Sequence, residues 1–330
     1  MSYPIIARDF RNHTLENTHQ GVICIVNEDK ETIYEKGDME KSFFYRSAMK
    51  PLQAIPVFMS NVIEKYHLTA EETALFMASQ RGEKYHEETL ISLREKLDVD
   101  EKDLVCASSY PLNEKPKLEY VRANKSKRRL LHNCAGKHLG FLGYTKGKGL
   151  GIAGYEQLDH PLQQEIVHYL SEMSEVPVVE IVSGTDGCGV PVHAVPMKNM
   201  ALSYLKFAVP ELINDEKLRN AVVHIGEVMN AHPNIIASHD FVCSVLLKDS
   251  NIIAKGGAQG VYCLALRKEK ISIALKVLSG TELIWPLLIA EILKKIDYRN
   301  EETISNLLQL RSENIVNDDG KMVGETKVYL

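Results

Sequence analysis

Segments with the composition of β-strands are concentrated at the two ends of this 330-residue chain. Residues 21–26 and 31–35 are rich in β-branched side chains, and the turn-like residues 27–30 between them predict a hairpin. Four further strands with short connections are expected near the other end, at residues 242–247, 252–255, 261–266 and 271–277. Because these strands resemble an antiparallel meander, we expect one antiparallel sheet built from both chain ends.

The residues between these ends are predicted to be mainly helical. Apolar spacing and capping signals indicate helices at 47–66, 69–79, 85–97, 132–142, 161–174, 200–209 and 215–231. We also expect a strand over 178–182 and a helix over 281–296 that covers the sheet. Residues 108–127 are polar and contain two prolines, which predicts a surface excursion, and we expect this excursion to cover the functional site. The fold class is therefore α/β (α+β), with helices packed on the sheet and a helical middle.

Composition narrows the class of protein. With 45% hydrophobic and 25% charged residues, the chain is expected to be globular, with enough apolar content for one large domain or two modest ones. We interpret residues 1–330 as a single catalytic unit. Residues 1–45 and 235–330 would form an approximate sheet region. Residues 46–234 would form a mainly helical region that carries most of the site motifs.

Charge and hydropathy limit the partners. The net charge is −5, and the one basic run, at 125–129, is short and lacks aromatic residues, so no nucleic-acid partner is expected. The chain start lacks the pattern of an export signal, and no apolar run is long enough to span a bilayer. We therefore predict a cytoplasmic protein with no membrane partner.

Ser47 and Lys50 pair a nucleophile with a base. Residues three apart lie on one face of a helix, so these side chains would converge. A serine needs a base as it attacks a carbonyl, and a lysine whose pKa is depressed by roughly three units can serve at pH 7. The alternative is an ordinary helix cap with a solvated lysine. The same spacing recurs at Ser203 and Lys206, and one of the two pairs is expected to be accidental.

Several polar islands lie at boundaries between predicted elements, where active-site groups are commonly presented. They read RSAMKPLQ at 46–53, ASQRGE at 78–83, NCAGKH at 133–138, GTDGCGVP at 184–191 and KGGAQGV at 255–261. As a set, these motifs resemble the rhizobial-type, thermolabile (class 3) L-asparaginase family, over about residues 21–265. The resemblance implies a serine beta-lactamase-like fold and a homodimer.

The same resemblance implies hydrolysis of L-asparagine to L-aspartate and ammonia through two serine–lysine tandems. By motif, Ser47 is the nucleophile and Lys50 its base, with Ser79 and Lys255 as the second pair. Without the resemblance, Ser79 would be interpreted as a serine at a helix end and Lys255 as a solvated strand lysine.

The family also has a zinc site, which here would consist of Cys134, Lys137 and Cys188. Six scattered cysteines in a chain of this kind favour thiols or metal ligands over a disulfide framework. Two thiolates and a neutral amine suit zinc. We expect the zinc to order the site and bind substrate rather than to activate water, and we do not assume that it is essential.

Asparagine carries an α-carboxylate and an α-ammonium, and each needs an opposite charge. Arg46 and Asp186 are the candidates, although each is equally explained as part of a structural ion pair. Gly187 and the glycines after Lys255 would let backbone amides approach an oxyanion. His138 is a candidate for supporting the substrate or metal site, with a buried core histidine as the alternative.

The chain departs from the family pattern in three places. Gln80 and Arg81 follow Ser79 where the family commonly has histidine, and Gln259 stands where the family tends to have glutamate. Residues 237–242 lack the usual glycine and arginine before the aspartate. These departures keep open a glutaminase or beta-lactamase-like hydrolase and, in another class, a catalytically weak homologue that binds an amino acid.

Overall fold

Both ends of the chain contribute strands to one eight-stranded antiparallel sheet, as the sequence predicts. A computed structural model describes residues 3–330. The strands are β1 Ile5–Arg11, β2 Thr14–Val26, β3 Thr32–Lys36, β4 Ser42–Phe44, β5 Val182–Thr185, β6 Pro191–Pro196, β7 Ile252–Gly257, β8 Val261–Leu266, β9 Ile271–Val277, β10 Asn314–Val316 and β11 Met322–Val328. The large sheet has the order β10-β11-β1-β2-β9-β8-β7, with β3 paired to β2, and β4, β6 and β5 form a small second sheet.

The pairing of β2 with β9 joins the two ends of the chain. Gly21 lies opposite Val277 and Val26 opposite Ser272 in this antiparallel pair. The predicted hairpin is confirmed as β2 and β3, and the predicted meander is confirmed for β7, β8 and β9. All residues of β7 and β8 are buried, because helices cover this part of the sheet. The expected α/β fold class is therefore confirmed.

Helices fill the middle of the chain and cover the sheet. They are α1 Lys50–Gln53, α2 Ile55–Phe58, α3 Val62–Lys65, α4 Ala70–Ala74, α5 Lys84–Leu97, α6 Glu114–Arg122, α7 Ala135–Lys148, α8 Pro161–Ser174, α9 Met197–Ala208, α10 Glu216–Ala231, α11 Pro233–Ile236, α12 Val242–Leu247, α13 Trp285–Lys295 and α14 Glu301–Leu310. The predictions for α5, α8 and α10 agree with these bounds to within one residue.

Two predicted strands are wrong. Residues Val242–Leu247 form α12, and all six are buried. A short apolar run of this kind fits a buried helix as well as a buried strand, so its periodicity could not decide. Val178–Glu180 form a 3-10 turn directly after Pro177, and strand β5 begins only at Val182.

The long helix predicted over 47–66 is broken into short pieces. Pro51 and Pro56 each stand in the first turn of a new helix, α1 and α2, because proline cannot donate the backbone bond that a helix interior requires. The helix predicted over 69–79 ends at Ala74. The excursion expected over 108–127 contains the helix α6.

One contiguous hydrophobic core contains the helices and the central strands. Its largest fully buried side chains include Trp285, Tyr45 and two lysines, Lys50 and Lys255. A buried lysine needs hydrogen-bond acceptors or a shifted pKa, so these two residues locate a polar site inside the core. None of the helices within residues 3–330 is long and apolar enough to cross a membrane.

Candidate active site

Lys50 and Lys255 meet at the hydroxyl of Ser79. Lys50 Nζ lies 3.1 Å from Ser79 Oγ, and Lys255 Nζ lies 2.9 Å from the same oxygen. Lys50 also donates to the carbonyl oxygens of Ala78 and Asn133, at 2.6 Å and 3.2 Å. A serine between two amines can pass a proton from one to the other.

Three separate parts of the chain supply this cluster. Lys50 follows the 3-10 turn Arg46–Met49, and Lys255 lies in β7, where it pairs with Cys263 of β8. Ser79 lies between α4 and α5, and its backbone amide donates to the carbonyl of Ile236 at 2.8 Å. Packing between these elements therefore positions the serine.

Gly257 lets β7 lie against the turn that carries Ser47. A Cβ at Gly257 would lie 2.3 Å from the carbonyl oxygen of Tyr45 and 2.9 Å from the amide nitrogen of Ala48. Both neighbours are backbone atoms, which cannot move aside as a side chain would. Only glycine allows this approach.

Burial lowers the pKa of Lys255 to about 8 because the interior disfavours its ammonium form, and the nearby charge of Lys50 acts in the same direction. The Cys243 thiol partly opposes the shift. Lys255 thus has the property that the sequence analysis required of a base, although Lys50 had been the first candidate.

Ser47 lies in the first turn after Tyr45 and is 9% exposed. Within residues 3–330, its hydroxyl makes no hydrogen bond with Lys50, whose three donated bonds go to Ala78, Ser79 and Asn133. Arg46, directly before it, has a φ of 51°, a left-handed conformation that is costly for a long side chain. Backbone strain of this kind is concentrated at functional sites.

Arg46 and Asp186, predicted to bind the two charged ends of the substrate, lie together. Arg46 Nε and Nη2 both lie 2.8 Å from Asp186 Oδ1. The backbone amide of Gly187 donates to the same oxygen at 2.9 Å. The ion pair thus links the Ser47 turn to the hairpin between β5 and β6, and the charges of Arg46 and Asp186 partly satisfy each other.

The three residues predicted to bind zinc converge in the core. Lys137 Nζ lies 3.2 Å from Cys188 Sγ, and all three side chains are buried. A hydrogen bond from Cys188 lowers the pKa of Cys134 well below its usual value, because the bond stabilises the thiolate form. Burial disfavours the ammonium of Lys137, but the neighbouring sulfurs of Cys188 and Cys134 outweigh this effect and raise its pKa.

The chemistry of this donor set suits a zinc ion, since it offers two sulfurs and one amine nitrogen, and zinc binding would displace the proton that Lys137 holds. Within residues 3–330, no group of three or more His, Cys, Asp or Glu side chains is arranged to hold a metal. A zinc site would therefore need Lys137 as a ligand.

The profile of the family described as L-asparaginase II matches residues 7–328. The chain belongs to this family. The predicted family is confirmed, and membership makes the chain an amidohydrolase with a small-molecule amide as its substrate.

Other comparisons of this L-asparaginase II family member are more distant. A beta-lactamase from Mycobacterium bovis is 11% identical, with a TM-score of 0.43 over 83% of this chain and 94% of that chain. A Bacillus glutaminase is 14% identical, with a TM-score of 0.40 over 84% of this chain and 91% of that chain. No curated protein matches the sequence.

His138 of this family member is completely buried one residue after Lys137. Its Nδ1 lies 2.7 Å from the hydroxyl of Tyr155, which accepts a hydrogen bond from the Val105 amide at 3.0 Å. The Nε2 atom of the ring is buried and has no hydrogen-bond partner within residues 3–330. Burial, with the charge of Lys137, lowers the pKa of His138 and keeps the ring neutral.

Gln80 and the pair Ser203 and Lys206 form contacts that hold the fold together. Gln80 is fully buried, donates to the carbonyl of His132 at 2.9 Å and accepts from the Gly82 amide at 2.6 Å. Ser203 and Lys206, which repeat the spacing of Ser47 and Lys50, make no hydrogen bond with each other within residues 3–330. Ser203 lies in the core 2.8 Å from the Tyr45 hydroxyl, whereas Lys206 bonds to Glu172 and Glu175. The expectation that one of the two pairs is accidental agrees with this arrangement.

The sequence analysis missed Glu282, which lies before α13 and within electrostatic reach of Lys255, Arg81 and Arg46. Burial raises the pKa of Glu282, and these cations oppose the shift. Glu282 falls inside the helix predicted over 281–296, and no motif in the sequence singles it out.

Proposed function

We propose that this chain hydrolyses the side-chain amide of L-asparagine to L-aspartate and ammonia. Family membership supports an amidohydrolase. The observation that carries the mechanism is the hydrogen-bonded chain Lys50–Ser79–Lys255, with distances of 3.1 Å and 2.9 Å. Such a chain supplies the proton transfers that a serine nucleophile needs.

In this mechanism, Ser47 Oγ attacks the amide carbon, and its proton passes to the amine of Lys50, one helical turn away. Lys50 passes a proton through Ser79 to Lys255, whose pKa of about 8 suits it to hold or release a proton near neutral pH. The amide nitrogen takes up the proton that left Ser47 and leaves as ammonia, which produces an acyl-serine. Water then attacks the acyl-serine, the same lysines and Ser79 take its proton and return it to Ser47 Oγ, and aspartate is released.

The crossing of β7 and the Ser47 turn is the proposed place of oxyanion binding. The amide of Ser47 belongs to the first turn of a helix, where no intrahelical acceptor is available. The close approach of Gly257 brings the backbone of β7 to the same place. Loss of one such donor costs other hydrolases roughly 3 kcal/mol in the transition state.

The proposed metal site is separate from these proton transfers. Cys134, Lys137 and Cys188 would hold a zinc ion, which when bound would supply a positive charge that orders the site and binds substrate. Asp186 connects this region to the nucleophile, since its Oδ2 lies 3.9 Å from Cys188 Sγ and its Oδ1 bonds to Arg46. We further propose that the protein is a homodimer and that it is located in the cytoplasm.

Ammonia release from L-asparagine and L-glutamine tests the proposed function. We expect release from L-asparagine, loss of turnover in Ser47→Ala and Ser79→Ala, and near-normal turnover in the control Ser203→Ala. A diazoketone analogue of asparagine should label Ser47, and mass spectrometry would locate the label. Label on Ser79 instead would exchange the roles of the two serines. Stabilisation by asparagine with no ammonia release would favour the amino-acid-binding homologue.

A further inference from the structure

Arg81 and Glu282 carry opposite charges beside the proposed catalytic residues. Neither residue makes an ion pair within 4 Å with any other part of residues 3–330. Arg46 and Asp186, in contrast, are bonded to each other. A zwitterionic substrate is best recognised by charges that are not already neutralised.

Arg81 follows Ser79 at a distance of two residues. Gln80, between them, is fully buried and bonds to the carbonyl of His132. Arg81 is half-buried, and its charge acts on Glu282 together with the charge of Lys255, which bonds to Ser79.

The guanidinium of Arg81 is held in one orientation. Its Nε donates to Asn113 Oδ1 at 2.6 Å, and Asn113 in turn donates to Glu83 at 2.6 Å. The guanidinium carbon lies 4.7 Å from the centre of the Phe241 ring, a cation–π contact. Within the described residues, Nη1 and Nη2 make no hydrogen bond, so the two-nitrogen end is available for a carboxylate.

Two departures from the family pattern meet at this contact. Arg81 belongs to the altered stretch after Ser79, and Phe241 belongs to the segment 237–242 that lacks the usual arginine. The chain thus places a cation from one altered segment against the aromatic ring of the other.

Glu282 provides the opposite charge. Lys255, Arg81 and Arg46 all act on its carboxylate electrostatically, and partial burial of the carboxyl group raises its pKa. The loop before it contacts the site wall, since a Cβ at Gly280 would lie 2.7 Å from Gln259 Oε1. An ammonium group that enters beside these cations needs a carboxylate to offset the repulsion.

We propose that Arg81 binds the α-carboxylate and Glu282 the α-ammonium of an amino-acid amide at this site. This inference rests on the proposed function and assigns its substrate class: free amino acids, rather than amides that lack either charged group. Arg46 and Asp186 then act as positioning residues for the Ser47 turn.

Activity with three amides distinguishes the Arg81 contact from the Glu282 contact. The three are L-asparagine, succinamic acid, which lacks the ammonium, and 3-aminopropanamide, which lacks the carboxylate. Arg81→Gln should lower kcat/KM for L-asparagine by about 10- to 100-fold, as expected for loss of a charge-assisted hydrogen bond, and leave 3-aminopropanamide unchanged. Glu282→Gln should show a similar loss with L-asparagine and leave succinamic acid unchanged. The exposed Arg122→Gln and Glu88→Gln are matched controls. An equal loss with all three amides, or no loss with L-asparagine, overturns the assignment.

Calorimetric binding of L-aspartate distinguishes this proposal from the proposed function. If the wild-type chain binds L-aspartate but releases no ammonia, the proposed function fails, and a tenfold or greater weakening of binding in both variants still supports the two contacts. Unchanged binding in the variants, or no binding to the wild-type chain, overturns them. Thermal unfolding of each variant shows whether a loss reflects misfolding.

Discussion

Lys255 donates a hydrogen bond to Ser79 across 2.9 Å, although the two residues are 176 positions apart in the chain. Lys50 reaches the same hydroxyl from the other side at 3.1 Å. Ser79 therefore connects the two lysines of the expected tandems, whereas Ser47 makes no hydrogen bond with Lys50 within residues 3–330. The role of Lys255 in proton transfer can therefore be tested in the same way as the roles of Ser47 and Lys50.

The pH dependence of turnover tests Lys255 as the proton acceptor. Only the neutral amine accepts a proton, and its fraction grows as the pH rises through the pKa of about 8. We expect kcat/KM for L-asparagine to rise from pH 7 through the pKa of Lys255 and to fall again at higher pH, where the α-ammonium of the substrate loses its proton. A flat profile across this range in ammonia-release assays would argue against Lys255.

Replacing Lys50 with methionine should abolish turnover while the chain still folds. The carbonyl oxygens of Ala78 and Asn133 lose their donor, so we expect a decrease of about 1–3 kcal/mol in the free energy of unfolding. Ammonia release and urea unfolding measure the two effects. Lys84→Met, at an exposed position, is the control. A folded Lys50→Met variant with normal activity would exclude Lys50 from the proton transfers.

Gly257→Ala should separate β7 from the Ser47 turn. The added Cβ would lie 2.3 Å from the Tyr45 carbonyl oxygen, closer than real Cβ contacts come. We expect a destabilised chain, by about 1–3 kcal/mol, with activity reduced more than 100-fold because both sides of the site move. Gly187→Ala, where a Cβ meets no atom within 4 Å, should unfold like the wild type. Equal stability of the two variants in thermal unfolding would contradict this view of the crossing.

Cys134→Ala should remove bound zinc and weaken substrate binding. Its sulfur, Cys188 and Lys137 are the three donors that face one another, and removal of one thiolate typically leaves too few protein ligands to retain the ion. Elemental analysis of purified protein measures the metal content, with Cys24→Ala, a buried cysteine in β2, as the control. Unchanged zinc in Cys134→Ala would refute the ligand assignment.

Local pattern predicted the elements with strong periodicity. The strands β8 and β9 and the helices α5, α8 and α10 are close to their expected bounds, because capping residues and apolar spacing are properties of the local sequence. The prediction for residues 242–247 was wrong because this run lacks such a local signal. All its side chains are buried, so no alternation distinguished a helix from a strand.

The sequence by itself determined the family, the construction of the sheet from both ends and the set of polar islands, since each is written in residue type and spacing. Only the tertiary structure decided that Lys50 bonds to Ser79 rather than to Ser47, that Arg46 and Asp186 pair, and that Arg81 lies over Phe241. These contacts join residues far apart in the chain. Their geometry depends on how helices and strands pack, which no short-range pattern encodes.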